Sequence, residues 1–194
     1  MTFLRAVVKK VIIIHGFQGN PSGGWKGWLK TQLEQKGIEV IAPQFPDPDH
    51  PKKAAWVKQL AKVAGKPSKD TIIIGHSLGC PAILRYLETL KDDEMIGGAV
   101  LVAGPITTKR KELKSFFTKP FDYKKIKKHC KSFIAINSDD DYHIPLEHGK
   151  TYKKELGAKL IIKKKHKHFG SADGFTELPI ALESILSLIK INKK

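Results

Sequence analysis

The chain has 194 residues, 35 Lys and Arg against 19 Asp and Glu, and a formal charge of +16 at pH 7. That length suits one domain, 1–194, burying roughly 70% of its unfolded surface without covalent staples. Cys80 and Cys130 are too few for a disulfide framework. No apolar stretch approaches the ~20 residues of a membrane span and no secretion signal is visible, so the expected setting is cytoplasmic, with no membrane partner.

Six short apolar runs alternate with helical patterns, an order that predicts βαβ units and a parallel sheet. The first run, 11–14, leads into His15-Gly16-Phe17-Gln18-Gly19, a glycine-rich turn with an accessible backbone. A helix over 25–36, a strand over 38–41 and a helix over 53–64 follow. The third run, Thr71-Ile72-Ile73-Ile74, stops at Gly75-His76-Ser77-Leu78-Gly79 and passes directly into a helix over 81–90. Gly-x-Ser-x-Gly alone is a weak signal, since glycine and serine are common in loops. Between a β-branched strand and a helix it is the nucleophile elbow, a strained turn that projects the serine hydroxyl.

A serine hydroxyl is a poor nucleophile at neutral pH, so Ser77 needs a base, an orienting acid and an oxyanion hole. In this arrangement acid and base follow the serine in that order. Each is expected in a loop at the carboxyl end of a strand. A strand over 98–102 precedes a segment, 104–128, longer than a simple crossover, which mixes Phe116, Phe117, Phe121 and Tyr123 with lysines and has the length of a small cap-like insertion. These aromatics either line an acyl pocket or pack the cap on the sheet; packing suits most of them. The fifth run, 132–136, leads to Asp139-Asp140-Asp141, and chemistry alone leaves the acid open among the three. A helix over 146–156 and a strand over 159–162 precede His166 and His168. His168 comes last in the required order, with His166 its nearest competitor. A terminal helix over 178–189 carries Leu182, Ile185, Leu186 and Ile189 on one stripe. Backbone N–H groups of Leu78, after the nucleophile, and Phe17, after the first strand, are the expected oxyanion donors.

The chain resembles, nearly end to end, the serine hydrolases of the retinoblastoma-binding protein 9 type, a branch of the α/β-hydrolase superfamily. The resemblance rests on Trp25-Lys26-Gly27-Trp28-Leu29, Phe45-Pro46-Asp47-Pro48, the elbow at 71–79, Phe117-Thr118-Lys119-Pro120-Phe121 with Lys125-Ile126-Lys127, 138–145, and His168-Phe169. It implies a compact three-layer α/β-hydrolase fold, a six-stranded parallel sheet in the order 2-1-3-4-5-6 with helices on both faces. It also implies that the acid is Asp141, opening Asp141-Tyr142-His143-Ile144-Pro145, and the base His168. The family's Leu-x-Cys-x-Glu motif, credited with retinoblastoma binding, is absent: Leu78-Gly79-Cys80-Pro81-Ala82 ends in alanine. That interaction is not expected here.

The expected activity is hydrolysis of short-acyl carboxylic esters, small-molecule substrates, through Ser77, Asp141 and His168, with no cofactor and no metal. The rival expectation is a non-catalytic module of the same fold that binds a protein or polyanion. Residues 101–170 hold 18 Lys and Arg against 7 Asp and Glu, so +11 of the +16 falls there. Without a nucleic-acid module or an aromatic-interleaved basic motif, this charge predicts weak electrostatic attraction but no specific nucleic-acid partner. Lys163, Lys164, Lys165 and Lys167, just before the expected base, predict a bias toward anionic substrates.

Overall fold

In a computed structural model, residues 10–191 are described, Ile191 by its backbone alone. The ends of the expected domain, 1–9 and 192–194, lie outside the described residues. Six strands, β1 (Lys10–Ile14), β2 (Glu39–Ile41), β3 (Thr71–His76), β4 (Gly98–Val102), β5 (Phe133–Ser138) and β6 (Lys159–Lys163), form one sheet. All pairings are parallel and the order is β2-β1-β3-β4-β5-β6. Six helices accompany them: α1 (Trp25–Glu34), α2 (Lys53–Ala64), α3 (Gly79–Leu87), α4 (Tyr123–Lys128), α5 (Leu146–Leu156) and α6 (Pro179–Ile191).

Alternation along the strands divides the core. Ile12, Ile14, Ile73, Ala99, Leu101 and Ala135 face one layer with Trp56, Leu60, Leu84 and Tyr152, from α2, α3 and α5. Val11, Ile13, Ile72, Ile74, Val100 and Ile136 face the other with Trp25, Leu29, Ala181 and Ile185, from α1 and α6. Strands covered on both faces read as continuous apolar runs rather than alternating ones. For this reason β3 and β4, buried throughout, stand out in the sequence.

The structure shifts several expected boundaries. Helix α1 stops at Glu34 rather than 36, because Gly37, at φ 72°, closes it: its N–H bonds the Glu34 carbonyl while Ile38 N–H reaches back to Leu33. Helix α3 begins at the elbow itself and ends at Leu87. Between β4 and β5 the chain forms a 3₁₀ turn at Lys111–Phe116 and the short helix α4, neither apparent from periodicity. Phe116 and Phe121 are buried in the α2–α5 core, with Phe117 and Tyr123 packed against it.

Arg85 of α3 anchors this segment. It is buried, its Nε donates to the Phe116 carbonyl at 2.8 Å, and Nη1 meets both oxygens of Glu88 at 2.9 Å. The same guanidinium also donates to the Lys119 and Pro120 carbonyls and lies 4.0 Å from the Phe121 ring centroid.

Candidate active site

Ser77 follows the last residue of β3 with φ at 51°, the left-handed region that side chains other than glycine's seldom occupy. Such strain costs of order 1–3 kcal/mol and persists only where surroundings fix it. Here the Ser77 N–H is tied to the Val102 carbonyl and its own carbonyl accepts from Cys80 N–H, both at 2.9 Å. The flanking glycines are demanded by space. A Cβ on Gly75 would stand 2.6 Å from the Gly79 carbonyl carbon, and one on Gly79 would stand 2.7 Å from the Ile14 oxygen. The pattern therefore records how closely α3 sits over the ends of β1 and β3.

The three adjacent aspartates separate by partner. Asp141, its side chain 1% exposed, accepts from His168 Nδ1–H at 2.9 Å through Oδ2 and 3.1 Å through Oδ1. Backbone N–H groups of His143 and Ile144 also donate to its Oδ1, at 2.8 and 2.9 Å. A carboxylate can only accept from the ring, so this contact puts the imidazole proton on Nδ1 and leaves Nε2 free to take one. Asp139 instead accepts from Lys165 N–H, and Asp140 from Lys167 N–H and the Ser138 hydroxyl. Those two bonds hold the Asp140 carboxyl below the usual carboxylate range, the hydroxyl's being the larger effect. Both aspartates thus brace the loop that carries His168, in which Lys165, Lys167 and Phe169 all have positive φ.

His166, the nearest competitor for the base, lies elsewhere. Its ring stacks on Phe175 at 4.9 Å and its Nδ1 donates to the Lys164 carbonyl. Further residues that sequence reasoning missed hold the His168 loop. His76, the variable residue of the elbow, donates from Nε2 to the His168 carbonyl at 2.8 Å, and Trp25 donates to that of Phe169 at 3.0 Å. Burial holds His76 well below the usual histidine range, with the neighbouring His168 adding to the effect. Asp173 Oδ2 accepts from the N–H groups of His168 and Gly170, while its Oδ1 accepts from the Tyr142 hydroxyl. No local pattern marks these contacts, since their partners are remote or in irregular loops.

In the first loop, the Phe45 N–H donates to His15 Nε2 at 3.0 Å, so Nδ1–H donates to the Gly16 carbonyl at 2.8 Å. Burial lowers the His15 pKa, consistent with this neutral tautomer. Among the described residues neither Phe17 nor Leu78 N–H has a backbone partner.

Ser77, His168 and Phe17 line one cleft of about 720 Å³. Its wall from the β4–β5 segment is Pro105, Thr107, Thr108, Lys109, Arg110 and Leu113, not the four aromatics of that segment. None of the lysines at 163–167 lines it either, so the cations beside the site come from a different loop than the sequence suggested. Among the described residues no group of three or more His, Cys, Asp or Glu is arranged to hold a metal ion, and no helix is long and apolar enough to cross a membrane.

A six-stranded parallel sheet with helices on both faces and a serine elbow after its third strand defines an α/β hydrolase. Comparison with known proteins narrows the class. The chain belongs to the serine hydrolase family, whose profile matches residues 11–187. It is 33% identical to YdeN of Bacillus subtilis (strain 168) over 183 residues, 93% of this chain and 96% of YdeN. It is 30% identical to the serine hydrolase RBBP9 of Rattus norvegicus over 184 residues, 92% and 96% of the two chains. The crystal structure of the B. subtilis ydeN gene product superimposes with a TM-score of 0.90, at 32% identity, covering 94% of this chain and all of that one. The protein is a serine hydrolase.

Proposed function

We propose that this hydrolase cleaves short-acyl carboxylic esters through Ser77, His168 and Asp141, by way of an acyl-enzyme. The observation that carries the reading is His168, doubly contacted by Asp141 and lining the same cleft as a serine held at positive φ. Ser77 Oγ attacks the acyl carbonyl while His168 Nε2 takes its proton; Asp141 keeps the other ring proton on Nδ1 and stabilises the imidazolium. Phe17 and Leu78 N–H groups receive the oxyanion, each such donor being worth ~3–4 kcal/mol in the transition state. His168 then protonates the departing alkoxide, and water, activated by the same imidazole, releases the acid. All of these steps use the chain's own groups and water.

In this reading residues 1–194 act as one domain and 104–128 as a small cap tied down through Arg85. A cytoplasmic setting is supported by Cys80 and Cys130, both buried and unpaired. The test is fluorophosphonate labelling followed by a panel of 4-nitrophenyl esters. Wild-type protein should label and Ser77→Ala should not, with an unchanged circular dichroism spectrum. Equal labelling of both would place the nucleophile elsewhere.

A further inference from the structure

Lys109 and Arg110 put two cations in the cleft wall, and among the described residues neither forms an ion pair with a carboxylate. Asp173, an acidic residue of the same lining, accepts from two N–H groups and the Tyr142 hydroxyl rather than from either cation. Asp141 is held by His168. Both carboxylates keep their charge, but neither is ion-paired to Lys109 or Arg110, so the two cations are open to an anion of the ligand. The guanidinium carbon of Arg110 stands 5.6 Å from the centroid of the Phe17 ring, beside the loop that offers an unpartnered N–H to the cleft. Two hydroxyl residues, Thr107 and Thr108, flank the cations; Thr108 Oγ1 accepts from Arg110 N–H and so fixes the turn that presents the side chain.

We propose that Arg110 is a specificity-determining residue that receives a carboxylate on the acyl portion of the substrate, with Lys109 reinforcing the field. The natural substrates are then hemi-esters of dicarboxylic acids, an inference that rests on the ester-hydrolase reading above. A guanidinium binds a carboxylate through two parallel N–H donors, which fixes orientation as well as adding attraction. Because Arg110 stands over Phe17, the carboxylate and the reacting carbonyl oxygen are drawn to the same loop. A neutral acyl chain of equal length leaves the guanidinium solvated and gains nothing from it.

The test compares mono-4-nitrophenyl adipate with 4-nitrophenyl hexanoate, which match in chain length and leaving group. Wild-type kcat/KM should favour the hemi-adipate at least ~10-fold, and Arg110→Gln should lower the ratio of the two by ~10–100-fold, the range for a charged hydrogen bond. Arg110→Lys should restore part of it. The second arm measures binding of the same two esters to Ser77→Ala and to Ser77→Ala/Arg110→Gln, which needs no turnover. A ratio near one in wild-type turnover, or one unchanged by Arg110→Gln, overturns the carboxylate site while leaving the ester-hydrolase reading intact. Failure to cleave either ester, with the carboxylate preference still present in Ser77→Ala binding and lost in the double variant, overturns the ester-hydrolase reading and supports the site. No preference in either arm overturns the inference.

Discussion

Asp139, Asp140 and Asp141 are adjacent in the chain and bind different partners. Two brace the backbone of the His168 loop from outside, and one turns inward to the imidazole. Substitution by asparagine removes charge at nearly constant shape, so the three variants separate support from orientation. Asp141→Asn should lower kcat by up to ~10⁴-fold, as the corresponding change does when the imidazole takes the wrong tautomer. Asp139→Asn and Asp140→Asn should cost far less, because an amide oxygen still accepts from Lys165 or Lys167 N–H. Steady-state kinetics on one ester decides the matter; a larger loss in Asp140→Asn than in Asp141→Asn would assign the orienting role to the wrong carboxylate.

The element scale is governed by what α3 does at each end. Its first residues crowd the ends of β1 and β3, which is why Gly75 and Gly79 admit no Cβ without displacing backbone. Further along, Arg85 gathers three carbonyls and Glu88, holding the 3₁₀ turn and the approach to α4 against the helix. Glu88 in turn accepts from the Asp122 N–H at 2.8 Å, so both ends of the segment meet at one ion pair. Removing one member of such a buried pair leaves an uncompensated charge, typically at a cost of 3–5 kcal/mol. Arg85→Met should lose about that much in urea unfolding. Arg85→Met/Glu88→Gln should recover part of it, since no carboxylate is then stranded. A loss within ~0.5 kcal/mol in the single variant would show that the segment is held by its aromatics alone.

Over the whole molecule, the surplus of positive charge reaches the interior at Lys26. This residue of α1 is 7% exposed, its Nζ lies 5.5 Å from the Trp25 ring centroid, and burial brings its pKa down to about 8. Its charge also helps hold His15 and His76 neutral. The folded value lies below the unfolded value of 10.5, so below pH 8 the native state bears the full cost of a buried ammonium. Between pH 8 and 10.5 the unfolded chain binds the proton more tightly, and this group's contribution makes stability rise with pH. The cost at pH 7 is of order 3 kcal/mol at most. Lys26→Met should therefore raise the melting temperature at pH 7 and flatten the rise between pH 8 and 10. Thermal unfolding across that range checks both; an identical pH dependence in the variant would mean that Lys26 reaches water in the native state.

The sequence by itself determined the fold class and the serine elbow. Apolar runs with breaks at glycine are local signals, and the family resemblance supplied the order in which the strands assemble. It also singled out Asp141 and His168, 27 residues apart, which the folded chain brings into direct contact. Only the tertiary structure decided the rest. His76 meets the His168 backbone across 92 positions and Trp25 meets Phe169 across 144, separations over which no periodicity carries information. The aromatics of 104–128 turned to the core because Arg85 pins their backbone to α3. That left Thr107 to Arg110, unremarkable as a string of residues, lining the cleft that Ser77 also lines. Lysine runs are visible in a sequence, but which cations face a cleft depends on how loops from different strands converge.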